Sequence, residues 1–138
     1  MPQYWLLKTE PSVYSFDDLK KDRRTVWDGV SNNLALKHLR GMKRSDLALI
    51  YHTGAARAVV GIAEIGSDPY SDPKGKDARL VVVDVKAREE LARHVSLAEI
   101  KSDPFFSDFP LVRLPRLSVM PVDPGYWKRI LVMAKKPA

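Results

Sequence analysis

Three segments rich in valine, isoleucine and leucine lie close together in mid-chain, at Asp46–His52, Ala58–Ile65 and Arg79–Lys86. They restrict the fold more than any other feature, because each has the length and β-branched content of a strand. A short link containing Gly54 joins the first two, so they read as an antiparallel hairpin. A polar loop, Ser67–Lys76, with Pro69, Pro73 and Gly75, precedes the third. Gln3–Lys8 reads as a buried strand and Leu117–Val122 as one more.

Helices are short and unevenly placed. Ser15 stands three residues before Asp18, a capping-box start for a helix to about Asp22. Val26–Val30 is irregular. A helix from Asn33 to Met42 puts Ala35, Leu39 and Met42 on one face and Lys37, Arg40 and Arg44 on another. Ser96 and Glu99 form a second capping box, opening a helix that Pro104 ends. Asp123 and Pro124 start a last helix with a wide apolar face, including Trp127, Ile130 and Ala134. Five or six short strands with three or four flanking helices make an α+β fold, a curled β-sheet or partial barrel. The uneven helix spacing argues against a parallel βαβ sheet. With 138 residues, the expectation is a single domain over 1–138.

Composition narrows the function. Cysteine is absent, which excludes disulfides, cysteine nucleophiles and thiolate metal sites. No apolar stretch is long enough for a transmembrane helix, and Met1-Pro2-Gln3 runs straight into a strand without a signal peptide. A cytoplasmic chain with no membrane partner is expected. The net charge is +6, and two segments carry more than all of it. Residues 20–44 hold eight basic against two acidic side chains, and residues 113–138 six against one. Brought together by the fold, they would neutralise phosphates; left apart, they are solvated faces.

Motifs of catalysis are missing: no G-x-G-x-x-G, P-loop or G-x-S-x-G is present. His38, His52 and His94 lack metal-ligand spacing, so neither a metal nor a cofactor is expected. Aromatic rings beside polar groups are the more informative pattern. They occur at Tyr4–Pro11, at Val26–Asn32, at Ile50–Gly54 and at Arg116–Val122. A base-sized pocket needs flat walls to stack on and a few donors and acceptors for the ring edge. Trp27 and Tyr51 fit the walls, and Asn32, His52 and Ser118 the edge. Trp5, in an apolar strand, is a core residue on this reading.

These same segments are similar to the signature segments of EVE domains. They are Tyr4-Trp5-Leu6-Leu7-Lys8-Thr9-Glu10-Pro11, Trp27-Asp28-Gly29-Val30, Tyr51-His52 and Arg116-Leu117-Ser118-Val119, in that order. Val60–Glu64 and Ser96–Lys101 extend the resemblance over essentially the whole chain. It implies a PUA-like fold related to YTH domains, a compact β-barrel decorated with helices. It also implies a non-catalytic module that recognises a modified base, chiefly a modified cytosine, in DNA or RNA. By analogy with the aromatic pocket of YTH relatives, Trp27, Gly29, Val30, Asn32, Tyr51, His52, Leu117 and Ser118 become pocket candidates. Lys8 and Glu10 are candidates for pocket support, and Lys37, Arg40 and Arg44 for phosphate contacts. Three positions depart from the pattern. Ser31 stands where an arginine is expected, Met120 where a glutamine is, and Ser45 where glycine is frequent. Two other readings of the residues remain: an enzyme acting on a nucleoside-like molecule with His52, Glu10 or Asp28 as acid–base groups, and an adaptor binding a small metabolite or protein tail.

Overall fold

The computed structural model describes residues 2–75 and 77–135. In chain order the elements are β1 (Tyr4–Thr9), α1 (Phe16–Asp22), β2 (Arg24–Trp27), α2 (Asn33–Arg40), β3 (Leu47–His52), β4 (Ala58–Ile65), β5 (Tyr70–Ser71) and β6 (Val81–Ser96). After them come α3 (Leu97–Ser102), a 3-10 turn (Pro104–Phe106), α4 (Pro110–Arg113), β7 (Val119–Pro121) and α5 (Pro124–Lys135). The strands form one mixed sheet in the order β2-β6-β4-β3-β1-β7, with β5 paired to β6 off this path. The sheet curls into a half-barrel with the short helices around it, so the α+β expectation holds.

Local chemistry sets most of the boundaries. Ser15 and Asp18 exchange both capping-box bonds at the start of α1, and Ser96 and Glu99 do the same for α3. The Asn32 carboxamide oxygen caps α2 by accepting from Leu34 and Ala35. The 46–52 and 58–65 segments pair antiparallel, as expected, with a bulge beside Ile50 and Tyr51. Core packing is continuous across the sheet: Leu6, Leu49, Val59, Val83 and Val119 are fully buried in one cluster. On one face Tyr4 stacks on Trp127 of α5 at 4.3 Å between ring centroids. On β4, Gly61 exists because Phe16 needs the space: a Cβ there would lie 2.5 Å from the Phe16 Cζ.

Three expectations are corrected, and one parallel pair joins a sheet that is otherwise antiparallel. The 79–86 strand is β6, which runs on to Ser96 with 16 residues in all. Its second half alternates buried Leu91 and Val95 with exposed Glu90 and His94, and that polar face conceals the strand. Val26 and Trp27 are not irregular: they close β2, paired with Asp84 and Val83 of β6. The sheet contains one parallel pair, β1 with β3, in register from Tyr4–Leu47 to Thr9–His52. That crossover passes through α1, β2 and α2 and suits a β1 buried on both faces. Finally, the polar loop is interrupted by the two residues of β5; its last residue, Lys76, lies outside the described residues.

Candidate functional site

A cavity of about 660 Å³ opens where the turn after β1 meets the end of β2. Lys8 and Thr9 form its floor at the end of β1, and Val13 and Tyr14 of the following turn form one side. Opposite stand Thr25, Val26 and Trp27 of β2 with Asp28, Gly29 and Val30 beyond it. Ser118 closes the back and Lys74 reaches in from the β5–β6 loop. The Lys8 N–H donates to the Ser118 carbonyl at 3.0 Å, so sheet pairing itself holds the floor against the back. Walls therefore come from both basic segments, 20–44 and 113–138.

The aromatic corner is rigid. The Tyr14 and Trp27 rings meet edge to face, 6.3 Å apart and at 84°. The Tyr14 hydroxyl donates to Asp22 at 2.8 Å, and its carbonyl accepts from the Thr9 hydroxyl at 2.6 Å. Burial, then the Asp22 carboxylate, holds the Tyr14 phenol above its ordinary value. Gly29 has φ +78°, a left-handed turn that carries the chain from the strand end to α2. The Lys8 ammonium donates to the Pro115 carbonyl at 2.8 Å, and burial holds its pKa below the usual lysine value.

Trp27, Gly29, Val30 and Ser118 thus line one cavity together, with Lys8 beside them. The other expected pocket residues lie elsewhere. Tyr51 lines a separate depression, near Arg57 and Lys101. His52 Nε2 accepts the Phe16 N–H at 3.0 Å and so caps α1 from the end of β3. That bond requires a neutral ring with its proton on Nδ1. Burial, then the nearby His94, lowers its pKa and keeps it neutral. Asn32 is committed to capping α2, and Leu117 is buried in the core. Glu10 accepts from Ser12 and from the Thr53 hydroxyl at 3.1 Å, bracing the turn rather than a pocket. Cavity residues missing from the sequence-based candidates include Thr9, Val13, Tyr14, Thr25, Val26 and Lys74. Tyr14 carried a signal, an aromatic ring just after a polar Pro11-Ser12 turn, whereas Lys74 sits in a loop of neutral appearance.

Arg40 of α2 and Arg79, which precedes β6, are joined beside Ser31, the residue after the cavity-lining Val30. Lys37 and Arg40 are exposed on α2, and the Arg40 guanidinium donates to the Arg79 carbonyl at 2.6 Å. Arg79 in turn donates to the Ser31 carbonyl at 3.1 Å and to the Asn33 carboxamide. Where the expected arginine is replaced by Ser31, a guanidinium therefore still arrives, from the turn before β6. Arg44 lies further off: its N–H donates to Asp68 at 3.0 Å and its charge acts on Asp84. Met120 is fully buried and pairs with Leu6, so that departure touches the core and not the cavity. Ser45 has φ +78°, which explains why glycine suits the position. It precedes Asp46, a buried carboxylate accepting from the Gln3 and Lys43 N–H groups and the Trp5 indole. Trp5 is thereby a core residue, as read from the sequence.

A different cleft, about 560 Å³ between α3 and α5, is lined by arginines already committed: Arg93 to Glu99 and Arg129 to Asp103. Among the described residues no group of three or more His, Asp or Glu is placed to hold a metal, and no helix is long and apolar enough to cross a membrane.

Known proteins share this fold. A family model described as "EVE domain" matches residues 3–133. The NMR structure of Rpa0253 from Rhodopseudomonas palustris superimposes with a TM-score of 0.91 and 40% identity, over 96% of this chain and 92% of that one. The crystal structure of human THYN1 protein in complex with 5-methylcytosine-containing DNA does so with a TM-score of 0.88 and 27% identity, over 99% of each chain. Thymocyte nuclear protein 1 of Rattus norvegicus is 31% identical over an alignment of 128 positions, which covers 74% of this chain. The same alignment spans only 57% of that relative's length.

Proposed function

The chain belongs to the EVE domain family, and on that premise we propose that it is a non-catalytic module reading a modified base, a modified cytosine in DNA or RNA. The base, flipped out of its strand, enters the cavity between Tyr14, Trp27 and Ser118. The observation that carries this reading is the chemistry of that one cavity. It combines an aromatic corner for stacking with Thr9, Ser118 and Lys8 for the ring edge and Lys74 at its side. Lys37 and Arg40, with Arg79 beside them, hold the strand's phosphates, and Arg44 adds a more distant charge. The relative solved with 5-methylcytosine-containing DNA supports the choice of ligand. His52 and Glu10 are disfavoured as acid–base groups, because the lone pair of His52 is spent on Phe16 and the oxygens of Glu10 accept from Ser12 and Thr53.

The test is a salt-titrated binding assay on matched DNA and RNA strands carrying cytosine, 5-methylcytosine, 5-hydroxymethylcytosine, adenine or N6-methyladenine. Wild-type protein prefers one modified strand. Trp27→Ala loses that preference, with a stacking loss of about 1–3 kcal/mol, or roughly 5–150-fold in Kd. Because Trp27 is mostly buried, Ser118→Ala serves as a milder second variant with its fold checked by circular dichroism. Preference surviving unchanged in both variants would show that the base binds elsewhere.

A further inference from the structure

We propose that the depression of about 320 Å³ on the Tyr51 side of Lys8 takes a backbone phosphate of the strand whose base occupies the Trp27 cavity. This rests on the base-reading function above and adds a second, separate contact to it. Lys8 lines both cavities, so one side chain belongs to the wall of each. Arg57, from the β3–β4 link, and Lys101, from α3, complete a set of three cations around the depression. Among the described residues, no aspartate or glutamate is in its lining.

Several cations elsewhere in this chain are paired with carboxylates. Arg24 pairs with Asp84, Arg88 and Lys86 with Glu64, and Arg129 with Asp103. Among the described residues, Lys8, Arg57 and Lys101 have no carboxylate within ion-pair distance. Like charges gathered without a counterion repel one another, and an anion placed among them removes that cost. Lys8 is half-buried, and burial disfavours its ammonium form, so an anion placed beside it is stabilising.

Its geometry suits a phosphate. The Lys8 ammonium is anchored on the Pro115 carbonyl and sits 5.6 Å from the centroid of the Tyr51 ring, which forms an apolar wall. The Arg57 carbonyl accepts the Leu97 N–H at 2.8 Å, so the β3–β4 link is fixed to the start of α3. The Glu10 carboxylate stands at the Thr53–Gly54 edge of the depression, where its oxygens accept from Ser12 and Thr53. A base would find little here, because the one ring at hand is Tyr51 and it already faces Lys8. A phosphate finds three donors of the right charge.

The test compares wild type with Arg57→Gln/Lys101→Gln, both changes being at exposed positions. The ligands are a strand with one modified cytosine and the same strand with a neutral methylphosphonate flanking that base. In the double variant we expect affinity to fall about tenfold at moderate salt and the slope of log K against log salt to shrink by roughly two. The methylphosphonate should weaken binding to wild type and cost the double variant nothing more. Equal affinity and salt slope in the two proteins would overturn the phosphate site while a wild-type preference for the modified base leaves the reading function intact. The converse, a lost salt slope without any preference for the modified base, would keep the phosphate site and remove the reading.

Discussion

His52 shows how one side chain can carry opposite meanings. In the sequence it stands beside Tyr51 at a strand end and reads as an edge-reading or acid–base group. In the fold its ring accepts an amide of the first turn of α1, one of the donors that a helix start leaves unpaired. Burial lowers its pKa, so folding disfavours the proton that the unfolded chain accepts near pH 6.5. Stability is therefore undiminished above that pH and falls as pH drops through it towards the lower folded value. His38, lowered by burial and by Lys37, adds to the same slope. Denaturant melts at pH 8 and pH 5.5 should show His52→Gln losing less stability on acidification than wild type. His52→Ala should cost about 1 kcal/mol already at pH 8, from the unpaired Phe16 amide. An unchanged pH difference in His52→Gln would remove the capping role. Trp27 and Tyr51 make the same point about rings: both are aromatic residues near a polar turn, and no local feature says that they face different cavities.

At the scale of elements, caps and patterns were legible and partners were not. The two capping boxes, the Asn32 neighbourhood of α2 and the 46–65 hairpin follow from residues a few positions apart. β2 escaped because its Arg24-Thr25-Val26 run is half exposed at the sheet edge and lacks an apolar stripe. The second half of β6 escaped because its outer face is charged. Packing between elements yields a sharp prediction at Gly61, where β4 receives the Phe16 ring of α1. Gly61→Ala should destabilise the protein by about 1–3 kcal/mol, because the ring must move. Adding Phe16→Leu, which removes the ring atoms in conflict, should make the pair less costly than the sum of the two single changes in a double-mutant cycle of urea melts. Strict additivity would show that the ring and the glycine do not meet.

Charge belongs to the whole molecule. Of the cations concentrated in residues 20–44, Lys20 and Arg24 are held by carboxylates on β6, leaving Lys37 and Arg40 as the exposed pair on α2. They lie on the helix that follows the Trp27–Val30 wall, and on the reading proposed above they meet phosphate and not the base. Lys37→Gln/Arg40→Gln should weaken binding to modified and unmodified strands by the same factor and flatten the salt dependence by about two in slope. A changed ratio between the strands would mean that α2 takes part in reading the base.

The chain's sequence determined by itself its class of fold, its helix starts, its central hairpin and the segment around Trp27 that walls the cavity. Those features depend on hydrophobic period, on capping residues three apart and on turn chemistry, all of which act over a few residues. Only the tertiary structure decided that Ser118 backs the same cavity as Trp27, that Tyr51 belongs to another, and that Lys8 stands between them. It alone brought Lys74 to the cavity and Arg79 beside the basic helix, both from a stretch without net positive charge. Such juxtapositions come from sheet order and strand register, in which β1 is flanked by β3 and β7 from distant parts of the chain. No local spacing encodes which side chains that order will make neighbours.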